Sequence, residues 1–242
     1  LARLNLPQDA RILDAGCGRG LVLFWLATHY PAYQLQGIEI EADEVYRNRA
    51  VARALGVSSA LAFEQGDLAD VALGVAAYDL IFSVDVLEHI VDDERVLLKF
   101  HQALKPGGWL LLHLPLRHQE QRRIFPAFKH HLVEDHVRDE YLPAEIRAKL
   151  LASGFRIQDL HFGFDWRGEL AFELNTLFWT IPPLRALSTL LTYPVAWYLA
   201  YRSVNVVGAV GDAYAESDDG SVPPNAVHVR GNSLIILAQP EG

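Results

Sequence analysis

Ile12-Leu13-Asp14-Ala15-Gly16-Cys17-Gly18-Arg19-Gly20 is the stretch on which the fold turns. An apolar run enters a cluster of glycines, and a helix-like run, Leu21 to His29, follows at once, so the segment reads as strand, tight turn and helix. Glycines at such a turn permit torsions that side chains forbid and let the backbone approach a ligand. The dinucleotide form of this turn is G-x-G-x-x-G, with helix amides holding a pyrophosphate. Here the pattern is D-x-G-x-G-x-G, and Leu21 stands where that fingerprint needs its last glycine. A carboxylate directly ahead of the glycines suits a ligand offering a positive amine better than one offering phosphate.

Outward from this turn, short apolar runs alternate with amphipathic ones, the rhythm of βα units feeding a parallel sheet. Strands are expected over Ala10 to Ala15, Tyr33 to Ile40, Ala60 to Glu64, Tyr78 to Val84 and Trp109 to Pro115, the last after the Pro106-Gly107-Gly108 turn. Helices are expected over Leu21 to His29, Ala42 to Leu55 and Val91 to Leu104. Pro143 to Ser153 reads as a further helix with Gly154 as its stop, and Phe155 to Phe162 and Ser233 to Ala238 read as the closing strands.

The ends of the strands carry the chemistry. The second ends at Glu39, which can accept both hydroxyls of a ribose, followed by Ile40. The third ends in Gln65-Gly66-Asp67-Leu68, where Asp67 could receive an adenine amino group and Leu68 and Ile40 could wall the ring. The fourth delivers Ser83, Val84 and Asp85, then Leu87-Glu88-His89. Taken singly, each carboxylate is accounted for by a helix N-cap or a solvated loop. Together they fall where ligands of open α/β sheets bind, beyond the carboxyl ends of the strands.

These segments resemble the class I S-adenosylmethionine-dependent methyltransferases, in their small-molecule branch. The resemblance is carried by ILDAGCGRG (12–20), GIEIEAD (37–43), QGDLAD (65–70), YDLIFSVDVLEHI (78–90), LKPGGWLLLHLP (104–115) and LPAEIRAKLLASGFRI (142–157). It covers about residues 8 to 160 and returns for the final strand. It implies an α/β, Rossmann-like seven-stranded sheet in the order 3-2-1-4-5-7-6, the last strand antiparallel, with helices on both faces and a helical insertion before that strand. It implies S-adenosylmethionine as cofactor, with Asp14, Ala15, Gly16, Cys17, Gly18 and Gly20 shaping the methionine-side pocket. By the same resemblance Glu39 and Ile40 face the ribose and the ring, Asp67 and Leu68 meet the adenine, and Ser83, Val84 and Asp85 lie beside the sulfonium end. Two departures stand out: the helix that usually precedes the first strand is essentially absent, and the insertion before the last strand is larger than the minimal fold needs.

Composition narrows the rest. With 51% hydrophobic residues and a formal charge of −9, the chain can bury a large core and has the wrong overall sign for a nucleic-acid binder. A lone cysteine, Cys17, makes no internal disulfide, and no basic-then-apolar leader begins the sequence, which points to a reducing, cytoplasmic setting. Methionine is absent altogether, so residues upstream of Leu1 are expected to be missing. The chain reads as one domain, 1–242, with a basic, histidine-rich lid or loop at 116–140 and an apolar, aromatic insertion at about 164–225.

Eleven aromatic residues fall between Phe155 and Tyr201, yet the longest uncharged run there, Ala186 to Tyr201, is 16 residues. A bilayer span needs about 20, so a simple transmembrane helix is not expected. Three readings of the insertion stay open: core with a homodimer contact, a lid over a hydrophobic acceptor, or an element meeting a membrane surface or lipid-like acceptor. Methyl transfer from a sulfonium needs alignment and water exclusion, and for a hydroxyl acceptor a general base. His131 and then His118 are the candidates for that base, against the plainer reading of solvated loop histidines. His130, His131, Glu134 and His136 match no metal-ligand spacing, so no metal is expected. A nicotinamide-dependent oxidoreductase and a non-catalytic cofactor-binding scaffold are the competing classes.

Overall fold

Strands form where the sequence is apolar toward both faces of the sheet. β4 (Tyr78–Val84) is buried at every position but its last, as expected of a strand covered on both sides. The computed structural model describes residues 4–116, 141–163 and 233–241, with residues 137, 170 and 173. Around β4 lie β1 (Arg11–Ala15), β2 (Gln34–Glu39), β3 (Leu61–Gln65), β5 (Leu104–Pro115), β6 (Phe155–Gly163) and β7 (Ser233–Pro240). The order in the sheet is β3-β2-β1-β4-β5-β7-β6 with β7 antiparallel, as expected. Described helices are α1 (Leu21–His29), α2 (Ala42–Ala54), α3 (Asp93–Ala103) and α4 (Pro143–Ala152).

Backbone contacts divide the chain into two units. One comprises Leu1–Leu114, Glu145–Gln158 and Ile236–Gly242; the other comprises Pro115–Ala144 and Asp159–Ile235. The expected lid at 116–140 and insertion at 164–225 belong to the second and lie almost wholly outside the described residues.

Register decides which side chains meet. Asp14 is opposite Gly37 on β2 and Phe82 on β4, and Phe82 is opposite Leu111 on β5. Side chains in register share a face of the sheet, and residues two apart share it as well. Asp14, Phe82 and Leu111 are therefore on one face, and Glu39, Val84 and His113, two residues further along their strands, are on the same face at its rim. Under that face Ile12, Leu80 and Phe82 pack with Leu23, Leu26 and Ala27 of α1.

The closeness of this packing makes Gly37 irreplaceable. A Cβ there would stand 2.7 Å from the Cys17 sulfur and 2.8 Å from both Leu23 Cδ1 and Phe63 Cδ1. All three neighbours are core side chains, so Gly37→Ala is expected to destabilise the fold by roughly 1–3 kcal/mol. Chemical denaturation checks this; a midpoint equal to that of the unmodified chain contradicts it.

At α3 and β5 the boundaries differ from expectation for identifiable reasons. Asp92 caps α3, its side chain accepting from the Arg95 N–H at 3.2 Å, so the helix starts at Asp93 and leaves Val91 outside. β5 begins at Leu104, opposite Tyr78, and keeps strand geometry through Pro106-Gly107-Gly108 by shifting register between Tyr78 and Leu80. Leu87–His89 forms a 3-10 turn directly after β4.

Candidate active site

The glycine turn between β1 and α1 is held from below. The N–H groups of Gly16 and Cys17 both donate to the Ile38 carbonyl, at 2.9 and 3.0 Å, tying the turn to β2. Gly16 has φ +83°, and a Cβ on it would lie 2.4 Å from Val86 Cγ2, so both torsion and space require glycine. Gly18 differs: its φ is +47°, yet nothing lies within 4 Å of where a Cβ would sit. At Gly18 the backbone faces open space, which leaves room for a ligand to lie against it.

Two carboxylates flank this opening. Glu39 accepts from the Gly18 N–H at 2.7 Å through one oxygen, and from the Ile40 and Glu41 N–H groups at 2.8 and 3.2 Å through the other. A carboxylate has about four acceptor positions, so three are already filled by backbone. Binding both hydroxyls of a ribose there requires one backbone donor to give way. Asp14 is only 5% exposed. Burial, and then the neighbouring Glu39 carboxylate, pushes its pKa up to about 8.

Burial, with Asp14 and Glu39 adding to it, pushes the Cys17 thiol well above the ordinary thiol range. The chain's lone cysteine is thus held as an unreactive thiol and is no nucleophile. The local field is negative, suited to a cation and opposed to a pyrophosphate.

The other strand ends close the site. Ile40 is exposed, whereas Leu68 is buried and its carbonyl accepts from Lys99 Nζ of α3 at 2.6 Å. Asp67 turns the chain after β3, its side chain accepting from the Ala69 N–H at 2.8 Å. Ser83 is buried and donates to the Ala15 carbonyl at 2.8 Å, which joins the ends of β1 and β4. Val84 is partly exposed. Asp85 has a positive φ of 53°, its N–H donates to the His113 carbonyl at 3.0 Å, and its Oδ1 lies 2.8 Å from His113 Nδ1.

The sequence-predicted residues of β1, β2, β3 and β4 thus gather along one edge of the sheet. Gly20 carries φ +65° with the Phe63 ring 2.9 Å from a would-be Cβ, so torsion and space both favour glycine there. His131 and His118 lie outside the described residues.

One residue beside the turn escapes sequence reasoning, and one contact does. Asn48 of α2, 2% exposed, donates to the Gly18 carbonyl at 2.7 Å and so orients the loop from its far side. Its only signal is an amide on the inner face of a polar helix. The contact is that of His113: the sequence already sets it among the histidines at or just after the fifth strand, and only the register brings it to Asp85.

The chemistry of this donor set suits S-adenosylmethionine. A buried carboxylate of raised pKa, a second carboxylate at the end of β2 and an open glycine backbone match an ammonium and a ribose. They do not match a phosphate-bearing ligand.

Comparison with known proteins agrees. Residues 1–160 match the family model described as a methyltransferase domain. Phosphoethanolamine N-methyltransferase 1 of Triticum aestivum is 34% identical over 110 residues, covering 46% of this chain and 22% of that protein. Trans-aconitate 2-methyltransferase of Variovorax paradoxus is 32% identical over 121 residues, 50% of this chain and 44% of that protein. The chain thus spans less than half the length of these curated relatives. Among solved structures, phosphoethanolamine N-methyltransferase 2 of Haemonchus contortus in complex with S-adenosyl-L-methionine superposes with TM-score 0.65 at 16% identity. That match covers 99% of this chain and 51% of the other and shows a shared fold.

Proposed function

The chain belongs to the methyltransferase domain family, with S-adenosylmethionine as cofactor, and from that premise we propose that it moves a methyl group to a small, hydrophobic acceptor. The observation that carries the cofactor side is the pairing of buried Asp14 with Glu39 beside the open backbone of Gly18. On this reading Asp14 meets the ammonium of the cofactor, and Glu39 takes the ribose. Ile40, Asp67 and Leu68 bound the adenine, and the backbone of Ala15, Gly16, Cys17, Gly18 and Gly20 forms the floor. Ser83, Val84 and Asp85 lie toward the sulfonium.

The cofactor supplies an activated methyl group on sulfur. The protein's task is then to hold the acceptor in line, exclude water and take a proton where the acceptor has one to lose. Support for a hydrophobic acceptor comes from the eleven aromatic residues between Phe155 and Tyr201, and Arg117, Arg122, Arg123 and Lys129 could hold an acidic group on it. Among the described residues no helix is long and apolar enough to cross a membrane.

The nicotinamide alternative is corrected, because the matched family is a methyltransferase one. The scaffold alternative gives way to an enzyme on the same match.

Methyl-labelled S-adenosylmethionine offered with a panel of hydrophobic phenols, amines and long-chain acids, beside a panel of polar metabolites, checks the proposal. Transfer is expected to the hydrophobic set. Transfer confined to the polar set would sink the acceptor class, and cofactor binding with no transfer to any compound would sink catalysis.

A further inference from the structure

We propose that Asp85 and His113 form a proton-accepting dyad in which His113 takes the acceptor's proton and Asp85 positions its ring; this rests on the methyltransferase reading above. Three observations converge on the pair. Two hydrogen bonds join Asp85 to His113, one from the Asp85 N–H to the His113 carbonyl and one between the imidazole Nδ1 and the carboxylate. Asp85 holds a positive φ of 53°, an uncommon conformation for a residue with a side chain, and such conformations persist where surrounding structure enforces them. His113 stands opposite Val84 in the ladder, which puts it on the same face as Asp14 and Glu39, at the edge where the strands end.

The chemistry follows from which nitrogen is engaged. A carboxylate accepts, so Nδ1 of His113 donates to Asp85, and in the neutral ring Nε2 carries the lone pair. His113 is partly buried, with 17% of its side chain accessible against 54% for Asp85, so the ring is confined while its partner reaches solvent. In the transfer, the O–H or N–H bond of the acceptor breaks and its proton passes to Nε2. The electron pair left on the acceptor forms the new bond to the methyl carbon, and the pair of the broken S–C bond stays on sulfur. Asp85 balances the imidazolium that results, and the proton then returns to solvent.

Asp85 is thus a positioning residue, and its role has a signature separate from turnover. Nitrogen NMR of the full chain saturated with S-adenosylhomocysteine is expected to find His113 as the Nδ1–H tautomer. Asp85→Asn is expected to lose that preference, since an amide can donate as well as accept. A wild-type ring in the Nε2–H form overturns the dyad, with no acceptor needed.

With an acceptor found in the panel above, His113→Gln is expected to lower kcat by roughly 10²- to 10⁴-fold while leaving the KM for the cofactor unchanged. Asp85→Asn is expected to lower kcat by roughly tenfold or more. Full turnover in His113→Gln beside an active wild type sinks the dyad alone. Failure of the wild type itself to transfer a methyl group sinks the methyltransferase reading.

Discussion

Asp14→Asn is expected to raise the thermal stability of the ligand-free protein at pH 8 and at the same time to abolish binding of S-adenosylmethionine. The two effects have one cause. Asp14 is buried beside Glu39, so its carboxyl holds its proton up to about pH 8, far above the 3.8 of an unfolded chain. Between those two values the folded protein binds the proton that the unfolded chain has already released, so stability falls as pH rises through that window. The penalty is absent below about pH 4 and complete above about pH 8. At pH 8 it is on the order of a few kcal/mol, and the neutral, isosteric amide removes it.

For a chain of this size that is a gain of several degrees in Tm, since about 1 kcal/mol moves Tm by roughly 2–4 °C. The gain should shrink toward zero near pH 4. On the proposed reading the bound state has the opposite demand, because the cofactor's ammonium would need Asp14 ionised. Cofactor binding should therefore release a proton at pH 6.5 and tighten between pH 6 and 8. Calorimetry in buffers of differing ionisation heat measures that proton. An unchanged Tm at pH 8, or binding that survives the substitution, would remove Asp14 from the site.

Lys149→Met is expected to cost about 3 kcal/mol of stability, or roughly 6–12 °C in Tm. Lys149 of α4 donates to both oxygens of Asp93 at 2.7 and 2.8 Å, and Asp93 is only 2% exposed at the start of α3. Glu94 lies further out, at 3.7 Å and solvated, so it adds little. Removing the lysine takes from this buried carboxylate a cation that meets both of its oxygens, which is what makes the loss large. Asp93→Asn introduced together with Lys149→Met should recover a good part of it. Urea unfolding of the two variants decides the matter; a loss under about 1 kcal/mol in the single variant would mean that Asp93 does not depend on Lys149.

How much of this could be read from the chain depends on how far apart the interacting residues are. The glycine turn announces itself because Asp14, Gly16 and Gly18 act within a few residues of one another, and Glu39 and Asp67 are visible because each ends an apolar run. The strand over Leu104–Pro115 was half hidden: Pro106-Gly107-Gly108 has the composition of a turn, and only pairing of Leu104 with Tyr78 holds it as strand. The 3-10 turn at Leu87–His89 is too short to carry a period. Asp85 with His113, Lys149 with Asp93 and Asn48 with Gly18 depend on register and packing between segments 28, 56 and 30 residues apart. No local pattern encodes those. The raised pKa of Asp14 belongs to the same class, because it arises from burial and from Glu39, neither of which exists before the sheet forms.

The even spacing along the strands has an evolutionary consequence. Asp14, Glu39 and His113 share one face because each stands a whole number of pleats from the shared register, so the edge is encoded by parity as much as by identity. Deleting one residue within β2 or β5 would turn Glu39 or His113 to the opposite face with every letter of the motif still present. Deleting two would keep the face and merely retract the group by about 7 Å. Drift in length within these strands should therefore be confined to pairs, while the connecting segments are free to change by single residues.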